Sequence, residues 1–256
     1  MPTKINQLLQ LAPSGVVLAS KWLRRNGYSP ELIRNYKKSK WLKTLGNGAV
    51  IRYKDDVDYL GAVYAMQDQL GMSIHPSART ALGLLGRAHY LELNQKQVYL
   101  FGSKEESLPS WFKKNDWEYK IAFFTSDFLP SDIGMTTVRH KNFDVQVASP
   151  ARALMECLYL TPKYHELIEC YEIMKGLPSI SPLSTQVLLE NCRSVKVKRL
   201  FLYLAEKADH NWFSHLEINK IQLGEGKRSF AKNGKFINKY MMSVPSELTE
   251  NELPEV

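Results

Sequence analysis

Along the first 54 residues the apolar positions come in short groups cut by proline and glycine, which predicts three helices and a hairpin. Ile5, Leu8, Leu9 and Leu11 line one face of a helix over 4–11, and Pro13 stops it. Val16–Asn26 is predicted as a second helix, with Leu18, Ala19, Trp22 and Leu23 on one face and Lys21, Arg24 and Arg25 on the other. Gly27 supplies a left-handed C-cap, and Ser29-Pro30 then restarts a helix, with serine at the N-cap and proline first in the turn. In this third helix, from Pro30 to about Lys38, Leu32, Ile33 and Tyr36 face inward while Glu31, Arg34, Asn35, Lys37 and Lys38 are left outside. Strand-like runs at Trp41–Leu45 and Ala49–Tyr53 flank Gly46-Asn47-Gly48, a hairpin with a glycine-rich tip. Helix, glycine turn, capped helix and hairpin in that order make a winged helix-turn-helix.

Beyond Tyr53 the patterning changes. Asp55–Leu70 and Pro76–Leu85 are predicted helices, and His89–Leu93 and Gln97–Phe101 are predicted as a hairpin around Asn94-Gln95-Lys96. Gly102–Ser107 reads as a linker. Strands are then expected at Tyr119–Thr125, Thr136–His140 and Phe143–Ala148, the last two turning at Lys141-Asn142. Ser149-Pro150 caps a helix running to about Leu160, and Pro162–Lys175, Pro182–Asn191 and Val195–Asp209 are helical in pattern. Ile221–Leu223 and Phe236–Met242 are expected to close the chain as strands. The fold class is α/β, of the α+β kind, with an N-terminal winged helix-turn-helix followed by a mixed α/β C-terminal domain. Residues 1–102 are expected to form the DNA-binding domain, 103–245 the second domain, and 246–256 an acidic, disordered tail.

Charge sharpens this division. Residues 1–54 hold eleven lysines and arginines against the single acid Glu31, a net of +10. Residues 55–192 are acidic, with seventeen acids and twelve bases, and residues 193–240 return to eleven bases and four acids. Two basic blocks around an acidic middle are the footprint of a nucleic-acid binder. The first block points to double-stranded DNA. Ser29, Arg34 and Asn35, in the N-terminal half of the recognition helix, are the candidates for reading base edges, because arginine pairs bidentately with guanine and asparagine with adenine. Lys21, Arg24, Arg25, Lys37, Lys38, Lys40 and Arg52 are the candidates for holding phosphates. The alternative is a solvated basic face on a small helical domain that docks a protein.

The second basic block, Lys227, Arg228, Lys232, Lys235 and Lys239, is a candidate partner surface. It is not a phosphate loop, since Ile221 stands where such a loop needs its first glycine. No metal site is suggested by the six histidines, and Cys157, Cys170 and Cys192 read as small buried hydrophobes. Catalysis has one thin lead: Glu118-Tyr119-Lys120 matches a short acid-x-lysine pattern in which the carboxylate holds Mg²⁺ in some nucleases. No catalytic residue, cofactor or enzyme activity is expected, and neither a secretory leader nor a membrane span is read, which gives a cytoplasmic expectation.

Four motifs in order resemble the AbiEi-type antitoxins of bacterial type IV toxin–antitoxin systems. They are Pro13-Ser14-Gly15 through Gly27 with the recognition helix and wing; Arg79–Leu91; Ser149-Pro150-Ala151-Arg152-Ala153-Leu154-Met155-Glu156; and Leu223–Arg228 with Lys232, Gly234-Lys235, Lys239-Tyr240 and Val244-Pro245. The resemblance implies an N-terminal winged helix that binds the operator of its own promoter. It also implies a C-terminal domain that neutralises a nucleotidyltransferase-like toxin without having to bind it. Arg152 and Glu156, four apart on one helix face, are expected to form a local ion pair worth a few tenths of a kcal/mol. A rival reading is a transcription regulator whose C-terminal domain only senses a ligand or dimerises.

Overall fold

A computed structural model describes residues 3–87, 97–231 and 234–249. The chain begins with α1 (Lys4–Leu11), β1 (Leu18–Ala19), α2 (Ser20–Arg25), α3 (Pro30–Lys38), β2 (Leu42–Gly46) and β3 (Ala49–Arg52). There follow α4 (Tyr59–Tyr64), β4 (His75–Pro76), α5 (Ala78–Leu84), β5 (Gln97–Gly102), α6 (Ser110–Lys113), β6 (Lys120–Thr125), β7 (Met135–His140) and β8 (Phe143–Ala148). The rest is α7 (Pro150–Leu160), α8 (Leu167–Lys175), α9 (Pro182–Asn191), α10 (Val195–Lys207), β9 (Arg228–Ser229), β10 (Lys235–Ile237) and β11 (Met242–Val244). These elements form two compact units that are not consecutive stretches of chain. One comprises Met1–Pro76, Asn94–Ser126 and Thr136–Val147, and the other Ser77–Leu93, Asp127–Met135 and Ala148–Val256.

In the first unit a three-stranded sheet in the order β1-β3-β2 carries the three leading helices, the arrangement of a winged helix. The predicted second helix is shorter than its pattern suggests. Val16 and Val17 are not helical, and Leu18 and Ala19 pair antiparallel with Val50 and Ala49, so the helix begins only at Ser20. The cause lies fifty residues away. The buried Gln69 amide accepts from the Ala19 N–H and donates to the Val17 carbonyl, both at 2.8 Å, as a neighbouring strand would. A fully buried apolar run fits either element by periodicity, and here the tertiary partner chooses.

The predicted helix over 55–70 also starts later, at Tyr59. The Asp58 carboxylate caps it by accepting from the Leu60 and Gly61 amides at 3.1 Å. After Tyr64 the helix widens to a π turn over Ala65–Gln69, which carries the Gln69 clamp. Gly61 is required by contact, because a Cβ there would lie 2.1 Å from the Gly15 carbonyl oxygen.

A second sheet has the order β4-β5-β6, with β5 and β6 parallel from Gln97↔Lys120 to Gly102↔Thr125. The first arm of the hairpin expected around 94–96 lies outside the described residues; Gln97–Gly102 pairs with β4 and β6. β7 and β8 form their predicted hairpin, with Lys141 left-handed in the turn.

The second unit is built on α7, which packs against α5, α8, α9 and α10 and is buried along nearly its whole length. Ser149 caps it, accepting from the Arg152 amide. The helix predicted from Pro162 begins at Leu167, since Thr161 before the proline is extended and ends α7. The strand predicted over 236–242 is broken in two. Asn238–Tyr240 makes a 3-10 turn and Met241 is left-handed, so that β10 returns antiparallel on β11, with Lys235↔Val244 as its outer pair. The Tyr240 ring is buried and its hydroxyl donates to Glu206 at 2.9 Å, an anchor that a free strand would not reach. Ile221–Leu223 forms no strand. The segment expected as a tail starts packed: Ser246–Leu248 is a 3-10 turn, Leu248 is buried, and its carbonyl accepts from the Tyr203 hydroxyl at 2.8 Å.

Candidate nucleic-acid interface

The recognition helix is set by its ends and its buried side. The Ser29 hydroxyl oxygen accepts from the Leu32 amide at 3.2 Å, and Pro30 opens the first turn. Ile33 is buried and Leu32 and Tyr36 half-buried, which turns Arg34, Asn35, Lys37 and Lys38 outward, where all four are exposed. Burial pushes the Tyr28 phenol up, with help from Tyr36, and pushes Tyr36 up as well, so both stay neutral under the helix.

Arg34, Asn35, Lys38, Lys21, Arg24, Arg25 and Lys40 are all exposed. Among the described residues none of these cations has an ion-pair partner, and the one acid of the block, Glu31, sits in the first turn of α3. Lys37 reaches across to the Thr44 hydroxyl on β2 at 3.4 Å. Lys40 is held left-handed at φ 56° after the helix. Seven cations and one amide on an exposed surface, with guanidinium and amide side by side, suit phosphates and base edges.

Two of the expected contacts are placed differently. Ser29 is exposed, but its oxygen is occupied by the cap. Arg52 is half-buried and donates to the Leu9 carbonyl at 2.8 Å and to that of Ala12. It therefore closes the C-terminal end of α1, because its position on β3 turns it back toward that helix rather than out along the wing. The wing tip is braced: Ser20 N–H donates to the Gly48 carbonyl at 2.8 Å, and Trp111 of α6 lies against Gly46. Sequence reading missed α6, whose single turn has too few residues to show a period.

The second basic block has a different character. Lys227 lies 5.3 Å over the Phe236 ring, and Lys239 pairs with Glu206 and covers the Tyr240 ring at 5.5 Å. Arg228 and Lys235 are exposed, and Lys232 lies outside the described residues. Beneath them is a residue the sequence did not single out. Arg199 is 2% exposed, and its guanidinium donates to the carbonyls of Leu223, Gly224, Gly226 and Met241 at 2.8–3.0 Å. Its place on the buried face of α10, between Val197 and Phe201, was the available signal.

The pair of Arg152 and Glu156 is also corrected. It is not a surface pair but a buried one, 4% and 0% exposed, closed at 2.9 Å. Arg152 further donates to the Pro130 and Ile133 carbonyls, and Glu156 accepts from the Ala78 amide at 3.1 Å. Glu118 and Lys120 are both exposed, Glu118 in a left-handed bend, and among the described residues no three His, Cys, Asp or Glu could share a metal ion. The three cysteines are buried, and burial pushes the Cys157, Cys170 and Cys192 thiols up, the last to about 11, which keeps them protonated.

Comparison with curated proteins gave no match. Among solved structures, the crystal structure of the RV2827C protein from Mycobacterium tuberculosis shares the fold. Its TM-score is 0.56 at 12% identity, over 93% of this chain and 88% of that one. Two family profiles match nearly end to end. Residues 1–93 fit the transcriptional regulator, AbiEi antitoxin N-terminal domain, and residues 95–245 fit the transcriptional regulator, AbiEi antitoxin of type IV toxin–antitoxin systems. The chain belongs to the AbiEi antitoxin family of transcriptional regulators from type IV toxin–antitoxin systems.

Proposed function

We propose that this antitoxin represses its own operon by binding the promoter operator through α3 and the wing. In the same proposal its C-terminal half neutralises a nucleotidyltransferase-like toxin encoded beside it, without an obligatory complex. The observation that carries the DNA reading is the exposed α3 surface, on which Arg34, Asn35 and Lys38 stand outward without acidic partners on a capped and buried helix. Residues 1–102 are assigned to operator binding and 103–245 to antitoxicity, with Lys227, Arg228, Lys232, Lys235 and Lys239 as the surface for the second task. The protein works in the cytoplasm on this reading; among the described residues no helix is long and apolar enough to cross a membrane.

The test is binding of the full chain to a duplex from its promoter over a range of salt. Affinity should fall steeply and linearly on a log–log plot, by about 0.9 per phosphate neutralised. A flat salt response would remove phosphate contact as the basis. A second reading, a regulator with a ligand-sensing C-terminal half, draws on a cavity of about 880 Å³ lined by Pro162, Leu167, Ile168, Lys196, Phe230 and Pro245. Rescue of growth when the cognate toxin and this chain are co-expressed supports the antitoxin; failure of rescue with operator binding intact supports the sensor.

A further inference from the structure

The wing does not stand alone. α6 is seated on its tip: Trp111 is 4% exposed, and a Cβ on Gly46 would come within 3.0 Å of the Trp111 Cβ and 3.1 Å of its Cα. A Cβ on Gly48 would lie 3.8 Å from the same ring, and the Ser110 hydroxyl donates to the Asn47 carbonyl at 3.5 Å. The tip residues Gly46, Asn47 and Gly48 thus all meet α6. The other end of α6 is fixed as well, since the Trp117 indole donates to the Phe112 carbonyl at 2.8 Å and Phe112 is 1% exposed.

A helix seated on the wing by Ser110 and Trp111 and closed at its other end by Trp117 presents its C-terminus in a fixed place. Lys113 and Lys114 stand there, both exposed and, among the described residues, without an ion-pair partner. The next acid, Asp116, is turned into the bend, where its carboxylate accepts from the Glu118 amide at 3.1 Å.

We infer that α6 is an outer part of the DNA-binding face, with Trp111 setting the wing and Lys113 and Lys114 contacting phosphates next to it. This rests on the reading that the winged helix binds duplex DNA. It adds two cations from outside the N-terminal block, and it makes the wing depend on a segment some sixty residues later in the chain.

The test uses the full chain and a mixed-sequence DNA duplex, with affinity measured against salt for wild type, Lys113→Ala/Lys114→Ala, and the charge-matched control Lys163→Ala/Lys175→Ala. The α6 pair should flatten the log–log salt slope by about 2, one per lysine, and weaken binding alike on operator and mixed DNA. The control should leave the slope unchanged. An unchanged slope or tighter binding in the α6 pair overturns the inference, as does an equal change in the control. If wild type itself shows no salt-dependent binding, the parent reading has failed instead. Trp111→Phe keeps an aromatic ring beside Gly48 and should bind like wild type. Trp111→Ala, if it melts like wild type, should weaken binding with the slope lowered as in the lysine pair. A Trp111→Ala protein that folds and binds normally also overturns it.

Discussion

The chain has two basic regions of similar sign and density, and the structure uses them in opposite ways. Around α2 and α3 the cations stand exposed, and few of them bond to the protein; Lys4 on the Gly27 carbonyl, Lys37 with its long contact to Thr44 and Arg52 under α1 are the exceptions. Around β9–β11 three cations have partners within the fold, the buried Arg199 beneath the loop at 223–226, the exposed Lys239 on Glu206 and the exposed Lys227 over Phe236, while Arg228 and Lys235 stand exposed. A cation bonded within its own chain has a geometric task already, whereas an exposed one has a field but no partner. Charge counted along the sequence cannot tell these apart, because the difference lies in what stands opposite each side chain.

The largest expected effect is on the buried side of this contrast. Glu156→Gln leaves Arg152 charged and buried without its carboxylate, and should cost about 3–5 kcal/mol in chemical denaturation. A loss below about 1 kcal/mol would return the pair to the surface class. Arg199→Met should cost about 2–3 kcal/mol in the same assay by orphaning several carbonyls, while operator affinity per folded molecule stays constant. If DNA affinity falls as much as stability does, the two regions are not separate in function.

The exposed side should behave in reverse. Arg34→Ala or Asn35→Ala should each lower operator affinity by about 1–3 kcal/mol, with less effect on mixed DNA, while stability moves by no more than about 0.5 kcal/mol. Equal losses on both DNAs would make them phosphate contacts, as is expected for Lys37→Ala. Arg52→Ala tests whether that side chain serves α1 rather than phosphate. It should cost about 1 kcal/mol of stability by releasing the end of α1 and should leave the salt slope of DNA binding unchanged.

The smallest effect is one of pH within the N-terminal unit. Burial works against the Asp58 carboxylate, but hydrogen bonds from Lys141, His140 and the Gly61 amide outweigh it and hold its pKa below the usual range. A depressed carboxyl adds stability above its unfolded value and loses it as pH falls through the lowered one, so the loss belongs below about pH 4. Asp58→Asn should flatten the acid limb of a stability–pH curve, and Asp58→Ala should also remove the cap, at about 1 kcal/mol. An unaltered acid limb in Asp58→Asn would show that the His140 and Lys141 contacts carry no linkage.

Much of the recognition element was legible because its signals are local. Gly27 at φ 81°, the Ser29 cap, Pro30 and the i, i+3 spacing of Ile33 and Tyr36 are all decided within one or two turns. The same holds for the cap of α7 by Ser149. Arg52 is placed for the opposite reason. Its chemistry suits phosphate, and only the position of α1 turns it inward.

By itself, then, the sequence determined the capped helices, the glycine-tipped hairpin and the concentration of charge before residue 55, because propensity, capping and charge act over a few residues. Tertiary structure decided what needs a distant partner. Leu18–Ala19 became strand because Gln69 bonds to Val17 and Ala19, the strand predicted at 236–242 broke because Tyr240 found Glu206, and the wing acquired a brace because Trp111 fits against Gly46. In each case a burial or hydrogen-bonding requirement is met by a residue that no local window contains.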